Sequence, residues 1–390
     1  MNNIKQKLIK LIISFYCLIS LTACEFGNGF SGGSKKNTSN TIVDIAILTP
    51  LSGANEALGK QYVSLIKMGL GDGAKTKIRV TSYDSSDEEK LKYSIQRILE
   101  QKTKIIIGPL YSKDTKILSS KIKGQDIIVL SLSNDPTLAD DNIFVFGHAP
   151  MRQLEQITNY LIDNDYKNYI VLLPTGRHSQ IVSKIIQNTI TNKNAILSRM
   201  EFYNDTSEDI KRAVNIVSDT ADNLNEYDEN LKRPVVIVGD DQENLKRIYE
   251  IASNFNLDKK VIIAGDNRID IDQDQRFDIL YTGATALDSG NLKQRAVRLG
   301  VNHFSFMHAL AYDAGKIIAS NITNHYNKET FLTKLKNSEK FQGVSGEIYF
   351  VDSIAQRKYE VIRKQNGVYA TQDNKPKETI EDKIFSIHNK

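Results

Sequence analysis

The chain has no tryptophan and only two cysteines in 390 residues. Both, Cys17 and Cys24, lie near the N-terminus, so an intramolecular disulfide, a CxxC redox pair and a cysteine zinc site are excluded from the rest. A charge excess is missing too. There are 51 Lys and Arg against 47 Asp and Glu, and Lys5, Lys7 and Lys10 fall in a leading segment that holds no acid. Without that segment the count is near balance, which argues against a nucleic-acid partner, since neutralising phosphates needs a basic excess. The whole chain is 25% charged and 40% apolar, the balance of a soluble globular protein with a sizeable core and room for two domains.

Residues 11–23 are mostly apolar and end in Leu21-Thr22-Ala23-Cys24. The stretch is short of the roughly 20 residues a membrane-spanning helix needs, and with the lysines before it reads as an export signal. Its Leu-x-small-Cys ending resembles the lipobox of bacterial lipoproteins, which implies cleavage before Cys24, a lipid on its thiol and attachment to a membrane. Glu25, where an inner-membrane retention signal of enteric lipoproteins would carry aspartate, leans towards the outer membrane. Residues 24–41 are rich in Gly, Ser, Asn and Thr and read as a flexible tether.

From Ile42 on, short β-branched runs alternate with segments of helical period, the pattern of βα units around parallel sheets. Strands are expected at 43–48, 78–83, 104–107, 127–130 and 143–146. A capping box, Ser86 with Glu89, opens a helix carrying Leu91, Ile95, Ile98 and Leu99 on one face. A second array follows Pro150, with helices at 151–162, 179–191, from Thr206, and 243–255, and strands at 169–173, 195–202, 235–238, 260–264 and 279–283. After it come one long helix (304–326), a short one (328–335) and two alternating strands (347–351 and 358–363). The expected division is signal 1–23, tether 24–41, first lobe 42–147, second lobe 148–287, a return mainly to the first lobe over 288–371, and a polar tail 372–390.

Catalytic templates fail one by one. Gly53 to Lys60 lacks phosphate-loop spacing and has Gln61 where magnesium needs Ser or Thr. Gly69, Gly71 and Gly73 lack dinucleotide spacing and follow a helix, so they read as a helix terminus and loop. Asp270, Asp272 and Asp274 start like a calcium loop, but Gln275 and Tyr281 stand where Gly and Glu belong. His303 and His308 lie on different helix faces, and HExxH and GxSxG are absent. No catalytic residue, metal ligand or cofactor is assigned, and the protein is expected not to be an enzyme.

Three stretches carry a family resemblance: Ile45-Ala46-Ile47-Leu48-Thr49-Pro50-Leu51-Ser52-Gly53, Ile106-Ile107-Gly108-Pro109-Leu110-Tyr111-Ser112 and Val129-Leu130-Ser131-Leu132-Ser133-Asn134. With Phe341-Gln342-Gly343 to Gly346-Glu347-Ile348-Tyr349-Phe350 they resemble the type I periplasmic-binding proteins of the leucine-binding superfamily. That resemblance implies an α/β fold of two lobes, each a parallel sheet flanked by helices, joined by three crossovers near 147–151, 285–303 and 342–346. Transport receptors of the superfamily usually carry a glycine-rich segment after the first helix. Its omission here, with Gly108-Pro109-Leu110 and Phe144-Val145-Phe146-Gly147, resembles the penicillin-binding protein activators. These are non-enzymatic outer-membrane lipoproteins that stimulate a peptidoglycan synthase, so the implied partner is a bifunctional penicillin-binding protein. The alternative is a binding protein of an ABC transporter, or a sensor, for an amino acid or similar small polar ligand.

In open α/β sheets ligands sit beyond the carboxyl ends of the strands. The cleft candidates there are Ser52, Tyr111, Ser112, Ser131, Ser133 and Asn134 from the first lobe, with Thr175, Tyr203 and Asp266 from the second. In amino-acid receptors of the superfamily an acid near the position of Asp266 holds the ligand ammonium. A structural alternative stands beside each: the serines also suit helix caps and turns, and Arg268 could pair with Asp266.

Overall fold

The computed structural model describes residues 42–227, 232–269, 276–284, 290–302, 304–323, 326–337 and 340–372. The chain divides into Met1–Ser39 and Asn40–Lys390. The signal, Cys24, the tether, the Asp270 to Asp274 triplet, His303 and the tail from 373 lie outside the described residues.

The β-branched runs become central strands because both of their faces are covered; Ile105–Ile107, for example, is buried throughout. The first lobe opens with β1 (Val43–Thr49), α1 (Glu56–Gly73), β2 (Ile78–Asp84), α2 (Glu88–Glu100), β3 (Ile105–Ile107), α3 (Ser112–Ile122), β4 (Ile128–Ser131) and β5 (Ile143–Val145). The second is built from α4 (Pro150–Asp163), β6 (Asn168–Pro174), α5 (Arg177–Asn192), β7 (Ile196–Tyr203), α6 (Ser207–Tyr227), β8 (Val235–Val238), α7 (Gln242–Asn254), α8 (Leu257–Lys260), β9 (Ile262–Asp266) and β10 (Ile279–Gly283). The chain returns through α9 (Gly290–Arg298), α10 (Phe306–Asn321), α11 (Lys328–Lys336), β11 (Phe341–Gly343), β12 (Gly346–Val351) and β13 (Ile354–Lys358), then ends on β14 (Glu360–Gln365) and β15 (Val368–Gln372).

Strand order is β11-β12-β13-β5-β4-β3-β1-β2 in one sheet and β15-β14-β10-β9-β8-β6-β7 in the other. β1 to β5 pair in parallel, as do β6 to β10. Antiparallel pairs enter only with the C-terminal strands, so each lobe is a mixed sheet. Each sheet carries an apolar core on both faces, giving three layers per lobe.

Several expectations are corrected. The expected strand 358–363 straddles two: Lys358 ends β13, which pairs with β5 in the first sheet, and residues from Glu360 form β14, which pairs with β10 in the second, so the third crossover is Tyr359. Residues 342–346 are instead the turn of the β11–β12 hairpin, seated on Asp313. That buried carboxylate accepts from the N–H groups of Val344 and Ser345 and from Ser345 Oγ. Glycine is needed there because a Cβ on Gly343 would lie 2.5 Å from Asp313 Oδ2. The N-cap of α2 is Asp87, which accepts from Lys90 N, while Ser86 turns towards Asp84. Gly69 and Gly73 are not a loop but the last turns of α1. Gln372, assigned to the tail, pairs with Val361.

Candidate functional site

The carboxyl ends of β1 to β4 and β6 to β9 face the gap between the lobes, and the polar residues expected there are mostly engaged within their own lobe. Ser52 Oγ donates to Asp84 Oδ2 at 2.7 Å, lies 2.8 Å from Ser86 Oγ and accepts from Lys90 Nζ. Asp84 also accepts from the N–H groups of Leu51 and Ser86. Burial opposes its ionisation, but these hydrogen bonds outweigh it and hold the carboxyl below its usual range.

Tyr111 occupies the N-cap position of α3 without a side-chain cap bond, and its side chain is exposed. Ser112, a suitable cap by sequence, is the first residue of the helix instead. Ser131 is buried 2.8 Å from Thr115 Oγ1 and accepts from Ser133 N; Ser133 accepts from Asp135 N. These two serines tie the turn after β4, and Asn134 stands exposed at its tip.

In the second lobe Thr175 Oγ1 donates to Asn204 Oδ1 at 2.8 Å. Tyr203 Oη donates to Asp240 Oδ2 at 2.5 Å, and Asn244 Nδ2 donates to the same oxygen. Burial, then the bond to Asp240, push the Tyr203 hydroxyl well above its ordinary range, so it stays a donor. Asp266 is fully buried and, among the described residues, is held by Arg268 alone through three groups: backbone N, Nε and Nη2, the last at 2.6 Å. The arginine thus occupies the position where a ligand amine would meet this acid.

Where the lobes join, a second cluster appears that the sequence did not single out. Arg357 on β13 donates from Nη1 to Gly147 O at 3.1 Å and from Nη2 to Phe146 O at 2.6 Å, with its guanidinium 4.4 Å from the Phe146 ring centroid. It therefore ties the third crossover to the first. Gln156 on α4 clamps Tyr359, donating to its carbonyl at 2.7 Å and accepting from its N–H at 3.4 Å. Nothing in the alternating pattern of β13 or the amphipathic face of α4 marks these residues, since their partners are backbone atoms distant in sequence. Asp84 was more accessible to sequence reasoning, because it ends β2 as Ser52 follows β1.

Beside the junction lies a mainly apolar groove of about 340 Å³. Asn134, Pro136 and Val145 line it from the first lobe, Met151 and Ile185 from the second. Asn134 is the one cleft candidate that reaches it. An adjoining groove of about 220 Å³ runs along Arg152, Gln156, Asn159, Tyr349 and Tyr359. Among the described residues no cluster of His, Cys, Asp or Glu has the makings of a metal site.

Two lobes joined at three passages, with strand ends facing a common gap, define a type I periplasmic-binding fold, and solved structures agree. The chain is similar to a Rhodospirillum rubrum protein assigned as a branched-chain amino acid ABC transporter, with a TM-score of 0.73, 12% identity and coverage of 85% of this chain and 100% of that one. It is also similar to the LpoA C-domain from Haemophilus influenzae, a regulator of PBP1A, with a TM-score of 0.63, 16% identity and coverage of 85% and 100%. At such identities the likeness shows the fold alone. The chain belongs to the LppC lipoprotein family, whose model matches residues 36–271. The uncharacterized protein RP748 of Rickettsia prowazekii (strain Madrid E) is 45% identical over 371 residues, spanning 95% of this chain and 99% of that protein.

Proposed function

We propose that this protein is a non-enzymatic lipoprotein, anchored through Cys24 and facing the periplasm, that regulates peptidoglycan synthesis by contact with a bifunctional penicillin-binding protein. Membership of the LppC family and the fold shared with LpoA support this reading. Glu25 after the anchor favours the outer membrane as its home.

The observation that carries the reading over a transport receptor is the state of Asp266. A receptor that takes an amino acid needs an unpaired acid to meet the ammonium. Here the buried carboxylate already has a guanidinium from its own chain, bonded through both oxygens. Displacing Arg268 would cost a charge-assisted pair that a ligand amine could only replace, leaving little net gain. Tyr203 and Ser131 are likewise satisfied internally. The receptor reading keeps the support of a fold shared with transporter binding proteins, the Rhodospirillum rubrum protein among them.

A thermal-shift screen of amino acids, short peptides and peptidoglycan fragments separates the two. A ligand at a hundred times its Kd stabilises a protein by about 2.7 kcal/mol, which is readily seen. The regulator reading expects no large shift from any amino acid. A multi-degree shift with one of them, lost in Asp266→Ala or Ser112→Ala, would install the receptor reading.

A further inference from the structure

The passages between the lobes converge on one aromatic side chain. Phe306, the first residue of α10, has its ring centroid 4.7 Å from that of His148 in the first passage and 5.8 Å from that of Tyr359, the third. Two histidines bear on this centre. His148 packs on Phe306 directly, with the two rings tilted by 56°. His308, two residues along α10, caps the helix that carries it.

Each contact has a protonation requirement. His308 Nδ1 accepts from Ser305 N at 3.1 Å and sits 2.9 Å from Ser305 Oγ, while its Nε2 lies 3.1 Å from Gln61 Oε1. With the backbone N–H a fixed donor, Nδ1 must be an acceptor, so the ring is neutral with its proton on Nε2. A second proton would point at the Ser305 N–H and open the capping box of α10. His148 Nδ1 is shut off from solvent and has no hydrogen-bond partner among the described residues, so a proton added there would find no acceptor.

We propose that His148 and His308 form an acid-sensitive latch: neutral, they hold the Phe306 centre and fix the angle between the lobes, and protonated, they release it. The groups around His148 are mixed. Burial is the largest effect on the ring; Asp266 favours its charged form, but Arg357 and Arg268 act with burial against it, and together they bring the ring down to about 4. The Tyr359 hydroxyl, pushed up by burial, stays neutral beside it. Around His308 stand Gln61, Ser305 and the rings of Tyr62 and Phe304; burial lowers this ring as well.

A histidine depressed in the latched form binds protons more readily once released, so the latch is secure above about pH 6.5, the ordinary histidine value, and weakens as pH falls towards 4. From His148 alone, the equilibrium between latched and released forms shifts about tenfold between pH 7.5 and pH 5.5.

Hydrogen exchange on the full chain at those two pH values, corrected for intrinsic exchange rates, tests the latch. Amides over 146–149, 304–309 and 357–361 are expected to exchange about tenfold faster at pH 5.5, while β3 and β8 keep their protection. In a His148→Phe, His308→Gln protein the response should vanish, because the phenyl ring keeps the ring contact and glutamine at that position still completes a capping box. Equal corrected protection of the wild-type segments at both pH values would overturn the proposal. So would a response undiminished in the double variant. The peptidoglycan reading bears on neither outcome.

Discussion

At the scale of single residues, the cleft is governed by which polar groups already have partners. Asp266 is fully buried, and among the described residues Arg268 is the only side chain bonded to it. Removing the arginine would leave an uncompensated buried carboxylate, which costs about 3 kcal/mol. Arg268→Ala is therefore expected to lower the melting temperature by several degrees. Asp266→Asn added to it should recover much of the loss, since the neutral amide no longer needs a counter-ion. Chemical denaturation of the two single variants and the double variant measures the coupling; additive losses would show that the pair does not act as a unit. The pairing of Asp266 was legible as an alternative because Arg268 is two residues away. The tie of Tyr203 to Asp240 was not, since it joins side chains 37 positions apart.

At the scale of elements, the sequence marks what is buried on a fixed period and misses what depends on a neighbour. The parallel strands were read within a residue or two, because fully buried runs such as Ile105–Ile107 and Val235–Val238 are continuous in apolar character. The change of sheet at Tyr359 was invisible: the chain stays extended through it, and no turn residue interrupts the alternation. The glycines of α1 were rightly placed at a helix terminus but wrongly given a loop, because Gly69 and Gly73 weaken a helix locally and prove their worth only against α10. A Cβ on Gly69 would lie 2.0 Å from Tyr312 O, whereas one on Gly71 would meet nothing within 4 Å. Gly69→Ala should force the helices apart and cost roughly 1–3 kcal/mol. Gly71→Ala, on the open side of the same helix, should be neutral or stabilise by up to about 1 kcal/mol. Equal effects in thermal melts would contradict the close approach of the two helices.

At the scale of the whole molecule, the lobes were legible as two βα arrays in series and their three crossovers from the family resemblance, with the third misplaced; the contacts that lock the passages together were not legible. Arg357 and Gln156 bind the passages to one another through backbone carbonyls and an N–H, partners that carry no sequence signature. The expected anchoring is testable at this scale as well. Cys24→Ser should move the protein from the membrane fraction to the soluble fraction, and wild-type levels in the membrane would contradict lipidation at that cysteine. The central claim is that the folded body works by contact with a synthase and not by capturing a metabolite. Its most direct measurement is titration of the purified body, by calorimetry, with the purified bifunctional penicillin-binding protein of the same cell. The account predicts saturable one-to-one binding at micromolar concentrations or below; no heat of binding up to about 100 μM, a free energy weaker than roughly −5.5 kcal/mol, would contradict it.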